Sequence, residues 1–220
     1  MMQEAGFWIE ENVISVKECE NIIAALSRTV RSRAGARHLM ADPTIEALAR
    51  DPRLMRIARS ALGEGAVPFR ATLFEKSANA NWLVVWHQDT ALPLEQRFDL
   101  PGWSSWSTKG GILYAHAPAW ALARILALRV HLDECTSDNG PLRIIPGSHA
   151  RGMLSDDEVF RLTRTQETVE CLVRRGGVLA MRPLLLHSSP KVRSQEPRRV
   201  IHIEYAESLE LDMKTRLAIA

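Results

Sequence analysis

Three residues constrain this chain more than any other feature: His87 and Asp89, in Trp82-Leu-Val-Val-Trp-His-Gln-Asp89, and His187, closing Leu184-Leu-Leu-His187. They offer two imidazoles and one carboxylate from separate extended segments. A strand alternates its side chains with period two, so His87 and Asp89 share one face. Two histidines and a carboxylate are the ligand set of a non-haem Fe(II) site, which leaves the other coordination positions open. A fold that uses them must bring an early strand and a late strand together, with several strands between. The expectation is a redox enzyme rather than a binding module.

The surrounding pattern fits such a fold. Ser15 stands three residues before Glu18, a capping box ahead of Cys19-Glu-Asn-Ile-Ile-Ala-Ala-Leu26, and Val16, Ile22, Ile23 and Leu26 give that helix one apolar stripe. Asp51-Pro52 is a second helix start, followed by Leu54, Ile57 and Leu62 and stopped at Gly63. From Val67 the texture changes to short apolar runs: Phe69 to Phe74, Trp82 to Trp86, Ile112 to Tyr114, Ile125 to Leu132, Leu142 to Ile145, Thr168 to Val173, Val178 to Leu186 and Val200 to Tyr205. Many short strands after helices predict a mainly β protein with flanking helices and a double-stranded β-helix, a jelly-roll or cupin-like core. With 220 residues, 46% of them hydrophobic, the chain is long enough for one such domain over 1–220, its helical region at about 15–63 packed on the β core.

A second His-x-Asp, His131-Leu-Asp133, competes with the first. Strand counting separates them, because about five predicted strands span His87 to His187 and only about three span His131 to His187. The early triplet is therefore taken as the ligand pair, with His131 packed or supporting a turn and Asp133 on the solvent side.

Several function classes fall away. The net charge is +2, and the basic cluster Lys191, Arg193, Arg198 and Arg199 is broken by polar residues, so nucleic acid is not expected as a partner. There is no basic start followed by an apolar run and no long uninterrupted apolar segment, which argues against a leader or membrane span and favours the cytoplasm. Cys19, Cys135 and Cys171 contain no close pair, so neither a disulfide framework nor a thiolate zinc site is suggested. The sequence does not indicate an oligomeric state.

The motifs Trp86-His-Gln-Asp89, then Leu132-Asp-Glu-Cys-Thr-Ser-Asp-Asn-Gly-Pro-Leu-Arg-Ile-Ile-Pro-Gly-Ser-His149, then His187-Ser-Ser189 with Pro197-Arg-Arg199, resemble the phytanoyl-CoA dioxygenase family of Fe(II)/2-oxoglutarate oxygenases. The likeness reaches back to Gly6-Phe-Trp-Ile and so covers nearly the whole chain. It implies iron held by His87, Asp89 and His187, with 2-oxoglutarate and molecular oxygen as cosubstrates. It also implies a cosubstrate anchor eleven residues past the distal histidine, where Arg198 stands, and a hydroxyl donor at Ser189. A guanidinium can pair with the 5-carboxylate bidentately, as lysine cannot. Arg198, Val200 and His202 share one strand face and Arg199, Ile201 and Ile203 the other, which leaves Arg199 as a solvated charge.

Lys76 and Asn81 flank the metal triplet in a polar loop and are further candidates for cosubstrate binding. Gln88 is placed at the pocket edge, and Trp82 and Trp86 in the barrel wall. Arg143 and Arg182 interrupt apolar strands and are candidates for an anionic substrate group. The pocket mouth is assigned to loops Thr90 to Gly110 and Leu154 to Arg164, where Trp103, Trp106 and Lys109 suit a small molecule with an apolar body and an anionic group. Two other readings stay open: a cupin-type metal enzyme that does not use 2-oxoglutarate, and a non-catalytic small-molecule-binding barrel.

Overall fold

The computed structural model describes residues 2–32, 35–78 and 80–220; Asn79, within the predicted polar loop, lies outside the described residues. Thirteen strands are described: β1 Phe7–Glu10, β2 Gly35–Ala36, β3 Val67–Lys76, β4 Val84–His87, β5 Ala91–Leu94, β6 Ser104–Lys109, β7 Ile112–His116, β8 Ile125–His131, β9 Leu142–Ile144, β10 Val169–Cys171, β11 Val178–Met181, β12 His187–Ser189 and β13 Arg198–Ala206. They form a six-stranded sheet in the order β1-β11-β8-β13-β3-β2, a four-stranded sheet β10-β9-β12-β4 and a three-stranded sheet β5-β7-β6. The fold is mainly β, a jelly-roll of antiparallel sheets with helices packed on one side.

The predicted helix signals act as expected. Ser15 and Glu18 form the reciprocal capping box of the helix Val16–Ala25, which buries Cys19 and Ile22. Asp51 caps Pro52–Leu62, and Gly63 ends that helix at φ 87°, a left-handed conformation open to glycine at little cost. These helices and Pro43–Ala49 bury Ile22, Ile45, Leu54 and Ile57 against Leu73, Leu128, Val130 and Ile201 of the large sheet. Tyr205, fully buried in β13, donates its hydroxyl to Ala49 O at 2.8 Å and ties the sheet to the end of Pro43–Ala49.

Three expectations need correction. The supposed loop Thr90 to Gly110 contains β5 and β6, which pair with β7 as a separate sheet. Leu154 to Arg164 is largely the helix Asp156–Thr165, capped by Ser155 and Glu158 in the same reciprocal way as at Ser15. The apolar run Val178 to Leu186 is not one strand: β11 stops at Met181, a turn follows, and His187 begins β12 in the other sheet. That break lets the chain cross between sheets and delivers His187 to the site.

Candidate active site

The early triplet and the late histidine meet across adjacent strands. His187 of β12 is paired in register with His87 of β4, and their rings lie 4.2 Å apart between centroids. Asp89 lies just beyond β4, its backbone N–H held by Pro183 O at 2.9 Å. Its carboxylate oxygens are 3.5 Å from His87 Nε2 and 3.6 Å from His187 Nε2. Among the described residues this is the one group of three potential ligands whose donor atoms converge, all within 4.8 Å of one another.

Each imidazole is aimed by its own strand. Nδ1 of His87 is 2.8 Å from Val85 O and Nδ1 of His187 is 2.8 Å from Leu185 O, in both cases the carbonyl two residues back. A carbonyl can only accept, so Nδ1 carries the proton and Nε2 presents its lone pair to the centre. Burial pushes the His187 imidazole down to about 4, which keeps it neutral. Burial alone would raise Asp89, but the imidazoles of His187, His87 and His202 outweigh it and hold the carboxyl well below the usual range. His87 is raised, the pairing with Asp89 overcoming burial. An ionised carboxylate and a neutral imidazole are the forms in which these groups bind a metal.

Beside the triplet is a cavity of about 100 Å³, lined by Phe74, Trp82, Arg129 and Leu142 together with Lys76, Ser189 and Arg198. Arg198 is 3% exposed, and its Nε donates to Asn139 O at 3.2 Å. Lys76, 1% exposed, donates to Ser189 Oγ at 2.7 Å, Ser189 O at 3.2 Å and Pro190 O at 2.6 Å. Ser189 Oγ in turn donates to Gly140 O at 2.8 Å. Burial, then Arg198 and Arg129, push the Lys76 amine down to about 7. Arg129 was not singled out from the sequence. It sits mid-strand in β8 with its Nη1 3.1 Å from His202 Nδ1 and its Nε without a partner, and burial followed by Arg198 pushes it down to about 10. Its sequence signal was a lone cation in an otherwise apolar run, which is costly to bury without a use.

Other candidates lie elsewhere. Asn81 does not line the cavity: its amide donates to Val192 O and accepts from Val192 N, fastening the loop. Gln88 ties Gly152, Leu154 and Leu184 together through its side-chain amide. Trp82 lines the cavity, whereas Trp86 packs with Ile145, Leu162 and Leu186. Arg143 pairs with Glu170 at the surface, and Arg182 donates to the carbonyls of Ala123, Ile125 and Ala61. Trp103 is 8% exposed within an apolar cluster, its ring edge-to-face with Phe98, and Trp106 packs edge-to-face on the same phenyl ring. Both His131 nitrogens are buried, and burial holds the imidazole well below its ordinary range. Asp133 is not a solvent-side carboxylate: it accepts from Arg199 Nε at 2.7 Å, Nη2 at 2.8 Å and the Arg199 backbone N–H at 2.9 Å. Arg199 is therefore half of a structural ion pair rather than a solvated charge.

Fold and site together define an iron- and 2-oxoglutarate-dependent dioxygenase. The chain belongs to the phytanoyl-CoA dioxygenase (PhyH) family, whose model matches residues 2–200. It is 24% identical over 221 residues to an L-proline trans-4-hydroxylase of Streptomyces griseoviridis, covering 89% of this chain and 74% of that protein. It is also 24% identical over 207 residues to an ectoine dioxygenase of Bordetella bronchiseptica, covering 80% of this chain and 60% of that protein. The fold resembles EctD from S. alaskensis with bound Fe, at TM-score 0.71 and 20% identity over 100% of this chain and 78% of that one. It also resembles HygX from Streptomyces hygroscopicus with nickel and 2-oxoglutarate bound, at TM-score 0.66 and 18% identity over 93% and 84%. No helix among the described residues is long and apolar enough to cross a membrane.

Proposed function

We propose that this chain is a single-domain hydroxylase of a small organic or lipid-like molecule, with iron held by His87, Asp89 and His187 and 2-oxoglutarate held among Arg198, Ser189, Lys76 and Arg129. One observation carries the cosubstrate assignment. Lys76, Arg129 and Arg198 are buried around one cavity, and none has a carboxylate within ion-pair distance among the described residues. Unpaired buried charge costs several kcal/mol per ion, about 3–5 when a partner is missing. A dianion entering the cavity offsets that cost for Arg129 and Arg198 and favours the charged form of Lys76, whereas a metal enzyme with no such cosubstrate would leave both guanidinium groups without a counter-charge.

Bound iron and 2-oxoglutarate, with oxygen, supply an oxidant strong enough for an unactivated C–H bond. The chain's own part is positional. Val85 O and Leu185 O hold both imidazoles in the tautomer that presents Nε2. Arg198 offers a planar fork for a carboxylate, while Lys76 keeps Ser189 directed along the same wall. Phe74, Trp82, Val84 and Leu142 make the rest of that wall apolar and limit water. The carboxylate of Asp89 fills the position a halide would need, which favours hydroxylation over halogenation.

The test is succinate release from 2-oxoglutarate by anaerobically loaded Fe(II) protein on admission of oxygen, across a panel of candidate small molecules. Slow release without substrate and stimulated release with one equivalent of oxidised product are expected. Full-rate product formation without 2-oxoglutarate or oxygen would overturn the proposal.

A further inference from the structure

A second cavity, of about 270 Å³, shares Asp89 and Phe74 with the cosubstrate cavity. Arg37, Arg70, Lys109 and Tyr114 give it a basic wall. These residues are far apart in sequence and are brought together by the β6–β7 hairpin. Lys109 ends β6, Tyr114 lies in β7, Arg70 lies in β3, and Arg37 directly follows β2. His38 joins the pieces: its Nε2 is 3.0 Å from the Tyr114 hydroxyl, and a Cβ built at Gly110 would lie 2.9 Å from its ring. Gly110, at φ 57°, thus permits the Arg37–His38 segment to seat on the hairpin turn.

The charges on this wall are not balanced from within. Arg70 is answered by Glu204, accepted at 2.6 Å, and Glu204 also lies 3.6 Å from His202. Asp89 faces the two ligand imidazoles. Arg37 and Lys109 are exposed at the cavity rim and have no acidic partner among the described residues, so both are open to an incoming anion. Lys109 Nζ is 5.1 Å, and the Arg70 guanidinium carbon 5.9 Å, from the centroid of the same Tyr114 ring. Burial, then Arg37 and Arg70, push both the Lys109 amine and the His38 imidazole down. The cavity is at the small end of the ligand-pocket range and adjoins a metal ligand, so it suits a metabolite-sized molecule.

We propose that the second cavity is the substrate site and that it selects an anion, the carboxylate or phosphate monoester of a small molecule, through Arg37 and Lys109 beside Tyr114. The rest of that molecule then extends toward Asp89, where its target carbon meets the oxidant. The inference rests on the iron and 2-oxoglutarate reading of the neighbouring site, and goes beyond it by naming the charge class of the substrate.

The test uses the whole chain, loaded with Ni(II) and saturated with 2-oxoglutarate so that added anions cannot take the cosubstrate cavity. Hexanoate, phenylacetate, butyl phosphate and phenyl phosphate are titrated by calorimetry, each against its neutral counterpart hexanamide, phenylacetamide, butanol or phenol. At least one anion should bind one to one, with its neutral counterpart weaker by about tenfold or more, and Arg37→Gln and Lys109→Gln, whose charges are exposed, should each cost about two- to fivefold in anion affinity. Both variants should keep the wild-type affinities for Ni(II) and 2-oxoglutarate. The carboxylate and phosphate arms tell which anion is preferred. Failure of every anion to bind, equal binding of the neutral counterparts, or undiminished binding by both variants would overturn the proposal. Failure of wild type to bind Ni(II) and 2-oxoglutarate would instead count against the iron reading. Titrating the same anions into unloaded wild type, Arg37→Gln and Lys109→Gln would then still decide the charge preference of this cavity, because only the second cavity is lined by those two residues.

Discussion

Replacing Arg198 with alanine removes one of the two buried guanidinium groups, Arg129 and Arg198, that line the cosubstrate cavity. A charge-assisted contact of this kind contributes about 1.5–3 kcal/mol, equivalent to about 10- to 150-fold in affinity. The concentration of 2-oxoglutarate needed for half-maximal succinate release should rise by that factor, with the iron requirement unchanged. Its neighbour provides the internal control. Arg199→Ala leaves Asp133 without its bidentate partner, and the two side chains are only 22% and 14% exposed, so about 1–2 kcal/mol of stability should be lost. For a chain of this size that lowers the melting temperature by about 2–8 °C. The assay pair is initial succinate rate against 2-oxoglutarate concentration, and thermal unfolding by circular dichroism. If Arg199→Ala raised the 2-oxoglutarate requirement while Arg198→Ala affected only melting, the face assignment along β13 would be refuted.

Two further outcomes are expected. Lys76, pushed down to about 7, is largely neutral at about pH 8, and an entering dianion should restore its charge, so 2-oxoglutarate binding should take up protons there. Because the unfolded amine holds its proton up to about 10.5 and the folded one does not, this group makes stability rise with pH between those values. Calorimetry in buffers of different ionisation enthalpy reads the uptake, which should vanish in Lys76→Met; wild-type heats independent of buffer would count against it. Tyr205→Phe removes the buried hydrogen bond to Ala49 O and should cost about 1 kcal/mol in urea unfolding without changing 2-oxoglutarate affinity. Loss of cosubstrate affinity in that folded variant would mean that the helix layer shapes the site.

What could be read from the sequence were features with local signatures. Ser15 with Glu18, and Asp51 before Pro52, are helix starts written within four residues, and they stand where they were expected. The two His-x-Asp triplets were separable because strand order is a sequence property, and the structure brings His87 and Asp89, not His131 and Asp133, to His187. Ser155 with Glu158 carries the same capping signature, but the segment after it is polar and compositionally ordinary and so reads as a loop at the pocket mouth. The β5 and β6 strands were hidden by Pro93 and by a serine- and threonine-rich composition, since their pairing rests on β7 rather than on their own propensity. Arg37 with Lys109, and Asp133 with Arg199, depend on long-range packing that no spacing rule encodes. Arg129 was the exception: burying a cation in an apolar strand is itself a signal, and it needed only to be weighed.

The central claim is that iron is held by the early triplet. Its most direct test is anaerobic Fe(II) titration of wild type, Asp89→Ala and Asp133→Ala, each confirmed folded by circular dichroism below its melting transition. Wild type and Asp133→Ala should bind one Fe(II) with the same affinity, although Asp133→Ala should melt earlier because Arg199 loses its partner. Asp89→Ala should lose most of that affinity, having lost the one carboxylate facing both imidazoles. Iron binding retained in Asp89→Ala, or lost equally in both variants, would contradict the assignment.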